Sequence, residues 1–179
     1  MERNALAEAV FSFRGGDQGA FRQIYDECHP GVFRLAVRMV GSDEAPDVLQ
    51  QVFLQVFRSI DKFHAQSSFR TWLYRLAVNE SLQYLRKNRR WRSHAELQWE
   101  PPAEIQDDQG ETDRKEYLET ALARIEPDLR AIFVLREVEK LSYPDIAEAL
   151  QIPEGTVGSR LNRARRQLRQ QLVNLGYGV

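Results

Sequence analysis

The sequence has a single cysteine, Cys28, in 179 residues, which excludes an internal disulfide and argues against a cysteine-based zinc site. Its three histidines, His29, His64 and His94, lack the spacing of metal ligands. No apolar run approaches the roughly 18 residues that a membrane span needs, and the N-terminus lacks the pattern of a signal peptide. These absences predict a cytoplasmic protein that has no metal site, no cofactor and no membrane insertion.

The net charge is also small, −1 at pH 7, but the charges are unevenly distributed. Residues 61–92 hold eight basic residues against two acidic ones, and residues 154–179 hold five against one. Between them, residues 93–120 hold nine acidic residues against two basic ones. Two basic segments on either side of an acidic segment indicate two nucleic-acid surfaces joined by a linker.

The acidic segment also contains the predicted domain boundary. Pro101 and Pro102, followed by the polar residues 106–110, interrupt the helical pattern and predict a flexible linker. We therefore predict an N-terminal domain over residues 1–92, an acidic flexible linker over residues 93–112 and a C-terminal domain over residues 113–179.

Apolar residues recur at helical spacing in both predicted domains and no convincing strand is present, so the sequence predicts an all-α protein of two small helical domains. Asp17 and Ser68 are predicted to cap helices, since their side chains can accept hydrogen bonds from free backbone amides. Pro30 is predicted to interrupt a helix, because proline lacks a backbone donor. Ser42 or Asp43 is predicted to start the helix that follows.

Residues 141–172 predict a helix, a tight turn and a basic second helix, a layout that can place one helix face in a DNA groove. Ser142 and Asp145 resemble a capping box at the start of the first helix. One apolar stripe of the second helix consists of Val157, Leu161, Ala164, Leu168 and Leu172. The residues that fall off this stripe, and are predicted to face outward, are Ser159, Arg160, Asn162, Arg163 and Arg166. A solvated basic helix without a DNA-binding role is the alternative for this segment alone.

Residues 64–90 interleave aromatic residues with basic and amide residues, running from a polar loop into a basic helix. This combination is typical of surfaces that bind single-stranded nucleic acid, since aromatic rings stack on bases and cations meet phosphates. Burial in the core is the alternative for individual aromatic residues such as Phe69 and Trp72.

The order of these motifs resembles the extracytoplasmic-function (ECF) sigma factors of bacterial RNA polymerase, in the sigma-70 family. Residues 43–63 resemble the polymerase-binding helix of sigma domain 2, and residues 67–79 resemble its promoter-melting segment. Residues 135–150 and 155–168 resemble the helix-turn-helix of sigma domain 4. The resemblance implies a protein that binds core polymerase at its β′ clamp and β flap, directs it to promoter DNA and helps to open that DNA. An anti-sigma factor is the regulator that the family leads us to expect.

The resemblance also implies three sets of contact residues and no catalytic residue. The polymerase-binding set is Asp47, Gln50 and Gln51. The minus-ten set is Ser67, Ser68, Phe69, Arg70, Trp72, Arg75 and Asn79. The minus-thirty-five set is Thr156, Ser159, Arg160, Asn162, Arg163 and Arg166.

The sequence departs from the family pattern at two of these surfaces. Gly158 stands where the family often has a basic residue, which removes one expected DNA contact and adds a helix penalty of roughly 1 kcal/mol relative to alanine. Gln51 stands where the family usually has glutamate, which removes one charge from the predicted polymerase surface.

Two other functions are alternatives to this one. A helix-turn-helix regulator that is not a sigma subunit shares the C-terminal helix pair but gives no reason for the segment 67–79. An enzyme is disfavoured because the sequence shows no Ser/His/Asp set, phosphate-binding loop, metal-ligand spacing or paired catalytic carboxylates.

Overall fold

A computed structural model of the chain describes residues 2–63, 67–92 and 110–177. That part of the chain is helical and contains no strand, which confirms the all-α class. Its helices are α1 Glu2–Arg14, α2 Gly19–Val40, α3 Ala45–Ser59, a short 3₁₀ helix Ile60–Lys62, α4 Phe69–Arg92, α5 Gly110–Arg124, α6 Pro127–Glu137, α7 Tyr143–Leu150 and α8 Glu154–Asn174. None of them is both long and apolar enough to cross a membrane.

Most of the predicted linker lies outside the described residues. Residues 93–109 fall there, as do His64 and His94, whereas residues 110–112 form the first turn of α5. The bounds of the two domains and of the linker therefore stay predictions.

The predicted cap at Ser68 is confirmed, whereas Asp17 lies one residue before the N-cap of α2, Gln18, and still bonds the first amide of that helix. Asp17 accepts a hydrogen bond on Oδ1 from the amide of Gly19, the first residue of α2, at 2.9 Å. Ser68 accepts one on Oγ from the amide of Thr71 in the first turn of α4, at 3.0 Å. These bonds satisfy amides that have no partner inside the helix.

Two predictions about helix ends were wrong. Helix α2 continues through Pro30, although an internal proline costs about 3 kcal/mol. Ile24 and Val32, on either side of it, are fully buried, and each such side chain contributes about 1.5–3 kcal/mol by leaving water, so the core outweighs the local signal. Helix α3 begins at Ala45, not at Ser42 or Asp43, whose side chains hydrogen-bond to each other instead.

Helices α1 to α4 form the N-terminal half around a shared apolar core, with α4 in contact with both α2 and α3. Leu73 and Ala77 of α4 are almost completely buried in it. One end of this core is an aromatic cluster of Phe63, Phe69 and Trp72, whose ring centroids lie 5.5 to 5.6 Å apart.

Helices α5 to α8 form the C-terminal half, and the predicted apolar stripe of α8 holds it together. Val157, Leu161 and Ala164 are fully buried and Leu168 is nearly so, as the helical spacing predicts. Gln151 ends α7 in a left-handed conformation (φ 53°), where its amide bonds the carbonyls of Ala147 and Glu148. The residues 151–153 therefore form the predicted short turn between α7 and α8.

The two halves pack against each other, with α7 on α4 and with α5 and α6 on α2. Arg130 of α6 is 6% exposed and donates hydrogen bonds to the carbonyls of Met39, near the end of α2, and of Ala123, near the end of α5. Carbonyls at helix C-termini lack partners within the helix and attract cations. Burial lowers the pKa of Arg130 to about 10, far enough above neutrality for the side chain to stay charged.

Candidate nucleic-acid and protein interfaces

Helix α8 presents the residues predicted to read duplex DNA on its outer side. Ser159, Arg160, Asn162, Arg163 and Arg166 are all exposed, whereas Thr156 is half-buried in the first turn. Helix α7, which precedes the turn, begins with the predicted capping contact, since Ser142 Oγ accepts a hydrogen bond from the amide of Asp145. The stripe that holds α8 on the core and the outward residues therefore lie on opposite sides of the same helix. We call these six residues, Thr156 included, the α8 face.

Acidic residues of the same half hold two of the α8 arginines. Arg163 Nη2 lies 2.6 Å from Glu126 Oε1, and Arg165 Nη2 lies 2.5 Å from Glu137 Oε1. Within the described part of the chain, Arg160 and Arg166 make no such ion pair. The α8 face therefore combines Arg160 and Arg166, unpaired within the described residues, with Arg163, whose carboxylate partner a phosphate can replace.

Gly158 is not fully on the α8 face. The residue is half-buried, and a Cβ added there would lie 3.7 Å from the ring of Tyr143 in the first turn of α7, an ordinary van der Waals distance. A larger side chain at this position would therefore leave the helix next to Tyr143, whose ring already has the guanidinium of Arg136 above it at 5.4 Å.

The minus-ten set is divided between the core and the surface. Phe69 and Trp72 are 7% and 5% exposed, so in this arrangement their rings contact Phe63 and have no free face for a base. Ser68 and Asn79 are exposed and Ser67 and Arg75 are half-buried. Arg70 is exposed but forms an ion pair with Glu27 at 3.1 Å. Arg75 and Asn79, four residues apart, lie on the same side of α4.

Helix α3 carries the predicted polymerase residues beside an apolar groove that the sequence did not predict. Asp47, Gln50 and Gln51 are all exposed. The groove has a volume of about 540 Å³, and its lining comes from α2 and α3: Phe21, Tyr25, Phe33, Pro46, Asp47, Leu49, Gln50, Phe53, Leu54 and Phe57. We call it the α3 groove.

Three large apolar side chains of the α3 groove are exposed to solvent. Phe33, Leu54 and Phe57 are 37%, 40% and 49% exposed. Large apolar side chains that cluster at the surface commonly mark a protein-binding site. The exposure of Leu54 and Phe57 could be found in the sequence, because both fall off the buried stripe of α3 formed by Val48, Val52 and Val56. The groove that they form with Phe33 of α2 could not.

In the part of the chain that the structure describes, the other reactive side chains do not assemble into a site. Burial raises the pKa of the Cys28 thiol to about 12, and His29 stacks on Tyr25 with ring centroids 4.9 Å apart. Among the described residues no three His, Cys, Asp or Glu side chains are grouped to hold a metal ion. Burial, followed by a hydrogen bond to Glu139, raises the pKa of Tyr74 above its usual value near 10.

Two protein families match the chain, one in each half. Sigma-70 region 2 matches residues 24–91, and Sigma-70, region 4 matches residues 115–168. The chain is 36% identical to the ECF RNA polymerase sigma-E factor of Haemophilus influenzae, over 96% of this chain and 95% of that protein. It belongs to the ECF sigma factor family. The ECF RNA polymerase sigma factor SigW of Bacillus subtilis is 33% identical, over 95% of this chain and 98% of that protein.

Two solved structures share the fold. The sigma factor RpoE of Bartonella quintana, in complex with the anti-sigma factor NepR, superposes with a TM-score of 0.68 at 25% identity, over 85% of this chain and 96% of that one. CnrH in complex with the cytosolic domain of CnrY superposes with a TM-score of 0.69 at 23% identity, over 96% of this chain and 97% of that one.

Membership of the ECF family confirms what the order of the motifs predicted. As a sigma factor, the chain directs RNA polymerase to promoters. A helix-turn-helix regulator outside the sigma family is not favoured, because sigma regions match both halves and not only the C-terminal helix pair. The roles of the individual residues in the three contact sets stay predictions.

Proposed function

We propose that this ECF sigma factor divides promoter recognition between its halves. The α8 face reads the minus-thirty-five element as duplex, the start of α4 holds the minus-ten element as it opens, and the α3 groove docks core polymerase. One observation carries the proposal: an exposed basic helix face in one half and an exposed apolar groove in the other occur on a single chain.

At the minus-thirty-five element, residue chemistry assigns different tasks to different members of the α8 face. Arg160, Arg163 and Arg166 can fork onto guanine in the major groove or pair with phosphates, and Asn162 can contact adenine. Thr156 and Ser159 are suited to phosphates. Ser159 already donates a hydrogen bond to the carbonyl of Thr156, at 3.0 Å, which orients its hydroxyl near the start of the helix.

At the minus-ten element, the polar residues around the start of α4 are the proposed contacts. Unstacking a base costs a few kcal/mol, and hydrogen bonds and cations in a pocket offset that cost. Ser67, Ser68, Arg75 and Asn79 supply such groups. Phe69 and Trp72 are buried, so their proposed contribution is to hold the loop in place from the core. Arg70 reaches a phosphate by leaving Glu27.

At the polymerase, the α3 groove has the composition expected of an interface core. Its floor is aromatic and aliphatic, whereas Asp47 and Gln50 supply a polar rim, as protein interfaces commonly do. We propose that this groove receives the β′ clamp and that the C-terminal half contacts the β flap. Gln51 is exposed on the same helix and adds an uncharged contact.

Regulation and location follow from the same proposal. An anti-sigma factor that covers the α3 groove would exclude polymerase, and we propose this form of control. Core polymerase and promoters are cytoplasmic in bacteria, so we propose that the chain acts in the cytoplasm, as a non-catalytic subunit.

Run-off transcription with purified core polymerase tests the proposal, on promoters selected from random DNA by the reconstituted holoenzyme. We expect promoter-dependent transcripts that require the chain, together with its comigration with core on a native gel. Failure to bind core or to support initiation would overturn it. DNA binding without core and without initiation would favour a regulator instead.

A further inference from the structure

Helices α2 and α4 meet the residues that follow α6 at a buried carboxylate. The side chain of Glu139 is 3% exposed. It accepts a hydrogen bond from the Tyr74 hydroxyl of α4 and lies 3.4 Å from Arg34 Nη2 of α2. Its second oxygen, Oε1, is buried and has no hydrogen-bond partner among the described residues. We call these three residues the Glu139 junction; it joins the two halves.

Gly31 makes this junction possible. A Cβ added at Gly31 would lie 2.6 Å from the Tyr74 hydroxyl and 3.4 Å from Glu139 Oε2, so only glycine allows the present approach. Glycine inside a helix costs roughly 0.5–1 kcal/mol relative to alanine. Pro30, which also disfavours a helix, directly precedes it. Helix α2 thus carries two unfavourable residues where the C-terminal half touches it.

A second set of contacts links the starts of α4 and α7. Thr71 donates its hydroxyl to Asp145 Oδ1 at 3.0 Å, and its amide donates to Ser68. Asp145 in turn bonds Ser142 at the start of α7. Thr71 and Tyr74 both belong to the proposed promoter-opening segment, so these contacts with the C-terminal half cover part of it.

Promoter geometry is incompatible with the closed arrangement. The minus-ten and minus-thirty-five elements are about 25 base pairs apart, or roughly 85 Å of duplex at about 3.4 Å per pair. A compact chain of this length has a radius of gyration of about 16 Å, so it spans roughly half that distance. The 17 residues between the two described halves, 93–109, can span at most about 55–60 Å. Only a chain whose halves have separated can contact both elements at once.

The closed arrangement leaves the docking surfaces free. The exposed residues of the α3 groove and the α8 face take no part in the contacts between the halves described above. We propose that the Glu139 junction is an autoinhibitory latch, which keeps Thr71 and Tyr74 of the promoter-opening segment covered, and the two halves together, until core polymerase, bound at the α3 groove, separates the halves. The inference rests on the proposed function for the polymerase step and on the structure alone for the latch.

The chemistry of the junction suits a contact that opens. A buried carboxylate with an unpaired oxygen is costly, because water would have satisfied that oxygen. Separation of the halves returns Glu139, Tyr74 and Arg34 to water and recovers part of that cost. A purely apolar contact of the same size would gain nothing from hydration on opening.

Four variants of the full chain test the latch by small-angle X-ray scattering. Tyr74→Phe removes the hydroxyl, and we expect a several-fold larger open fraction and a larger radius of gyration than in the parent chain. Gly31→Ala displaces the hydroxyl, and we expect the same result. The double variant Gly31→Ala with Tyr74→Phe is expected to match Tyr74→Phe alone, since the added Cβ no longer meets a hydroxyl. Glu137→Gln, which breaks an ion pair inside the C-terminal half, is expected to leave the radius unchanged.

The outcomes separate the latch from the proposed function. An extended parent chain, or variants that stay as compact as the parent, would overturn the latch even if the parent initiates transcription. If Gly31→Ala raises the open fraction equally in the parent chain and in Tyr74→Phe, the cause lies in α2 and not in the contact with the Tyr74 hydroxyl. That result would overturn the junction. A compact parent whose variants open supports the latch even if core polymerase is not bound, a result that would overturn only the proposed function. Circular dichroism checks folding, and Tyr74→Phe carries the test if Gly31→Ala unfolds.

Discussion

The guanidinium of Arg163, on the α8 face, lies 2.6 Å from the carboxylate of Glu126, the residue that precedes α6. Glu126 also accepts a hydrogen bond from Gln167, one turn further along α8. Both partners of the ion pair are more than half exposed, so the pair adds at most about 1 kcal/mol to stability. Its main consequence concerns DNA, because the same guanidinium cannot pair fully with Glu126 and with a phosphate or base.

Arg163→Ala is expected to weaken binding of minus-thirty-five duplex by about 1–3 kcal/mol, since it removes an outward cation from the α8 face. Fluorescence anisotropy with labelled duplex at fixed salt measures this. Arg165→Ala is the matched control, because Arg165 is paired on the same helix but lies outside the predicted contact set. Unchanged affinity in Arg163→Ala, or an equal loss in both variants, would contradict the assignment of the α8 face.

Glu126→Gln is expected to act in the opposite direction. The substitution removes the anion that competes for Arg163 while keeping the size of the side chain, so duplex affinity should rise a few-fold at low salt. Because screening weakens exposed charge interactions, the gain should shrink as the salt concentration rises. A loss of affinity would mean that Glu126 orients Arg163 for DNA and does not compete for it.

Leu54→Asp is expected to weaken binding to core polymerase at least ten-fold. Leu54 is 40% exposed and lines the α3 groove, and an unpaired carboxylate buried in an apolar interface costs several kcal/mol, well beyond the roughly 1.4 kcal/mol of a ten-fold change. Native gel titration with core measures the loss. Phe11→Asp is the matched control, because Phe11 is even more exposed but lies on α1, away from the groove lining. Equal affinities for the two variants would exclude the groove as the docking site.

Gly158→Ala is expected to raise the free energy of unfolding by about 1 kcal/mol, the helix-propensity difference between the two residues. The added methyl group meets only the Tyr143 ring, at 3.7 Å, so no clash offsets the gain. Gly155→Ala is the control: this residue lies in the first turn of α8, where a Cβ meets nothing within 4 Å. Urea unfolding measures both. A destabilised Gly158→Ala would show that α7 approaches α8 more closely than this distance indicates.

The elements that could be predicted are those whose signals are local. The stripe of α8 and the cap at Ser68 each depend on residues within a few positions of one another, and both are confirmed. The prediction at Pro30 was wrong because it used the local signal alone. That signal favours a break in the helix, but the core that outweighs it is formed by segments distant in sequence.

Sites formed by distant segments were beyond prediction. The α3 groove combines Phe33 of α2 with Leu54 and Phe57 of α3, and only their packing shows that they share a surface. The contact of Arg130 with Met39 crosses 91 positions of the chain and has no signature in either segment. Nothing in the spacing of Tyr74 and Glu139 indicates that they meet.

Cys28 is expected to resist thiol reagents in the folded chain. It is 5% exposed, and its pKa of about 12, against 9.0 for an unperturbed thiol, lowers the thiolate fraction at pH 8 by about a thousand-fold. Because the folded pKa is raised, the thiol contributes stability that is complete below about pH 9 and is lost as the pH rises towards 12. Labelling in buffer and in urea compares the states. Similar rates in both would mean that α2 opens readily around Pro30.

Asn79→Ala is expected to impair promoter opening more than duplex binding. Asn79 is exposed on the same side of α4 as Arg75, where a flipped base of the non-template strand would find an amide, and it lies outside the α8 face that holds the duplex. Permanganate reactivity of thymines at the minus-ten element measures opening by the holoenzyme, and a gel shift with minus-thirty-five duplex measures binding. Gln83→Ala, an exposed amide one turn further along α4, is the matched control and should change neither. Equal losses in opening and duplex binding would argue against a base pocket at the start of α4, since a pocket acts only after the strands separate.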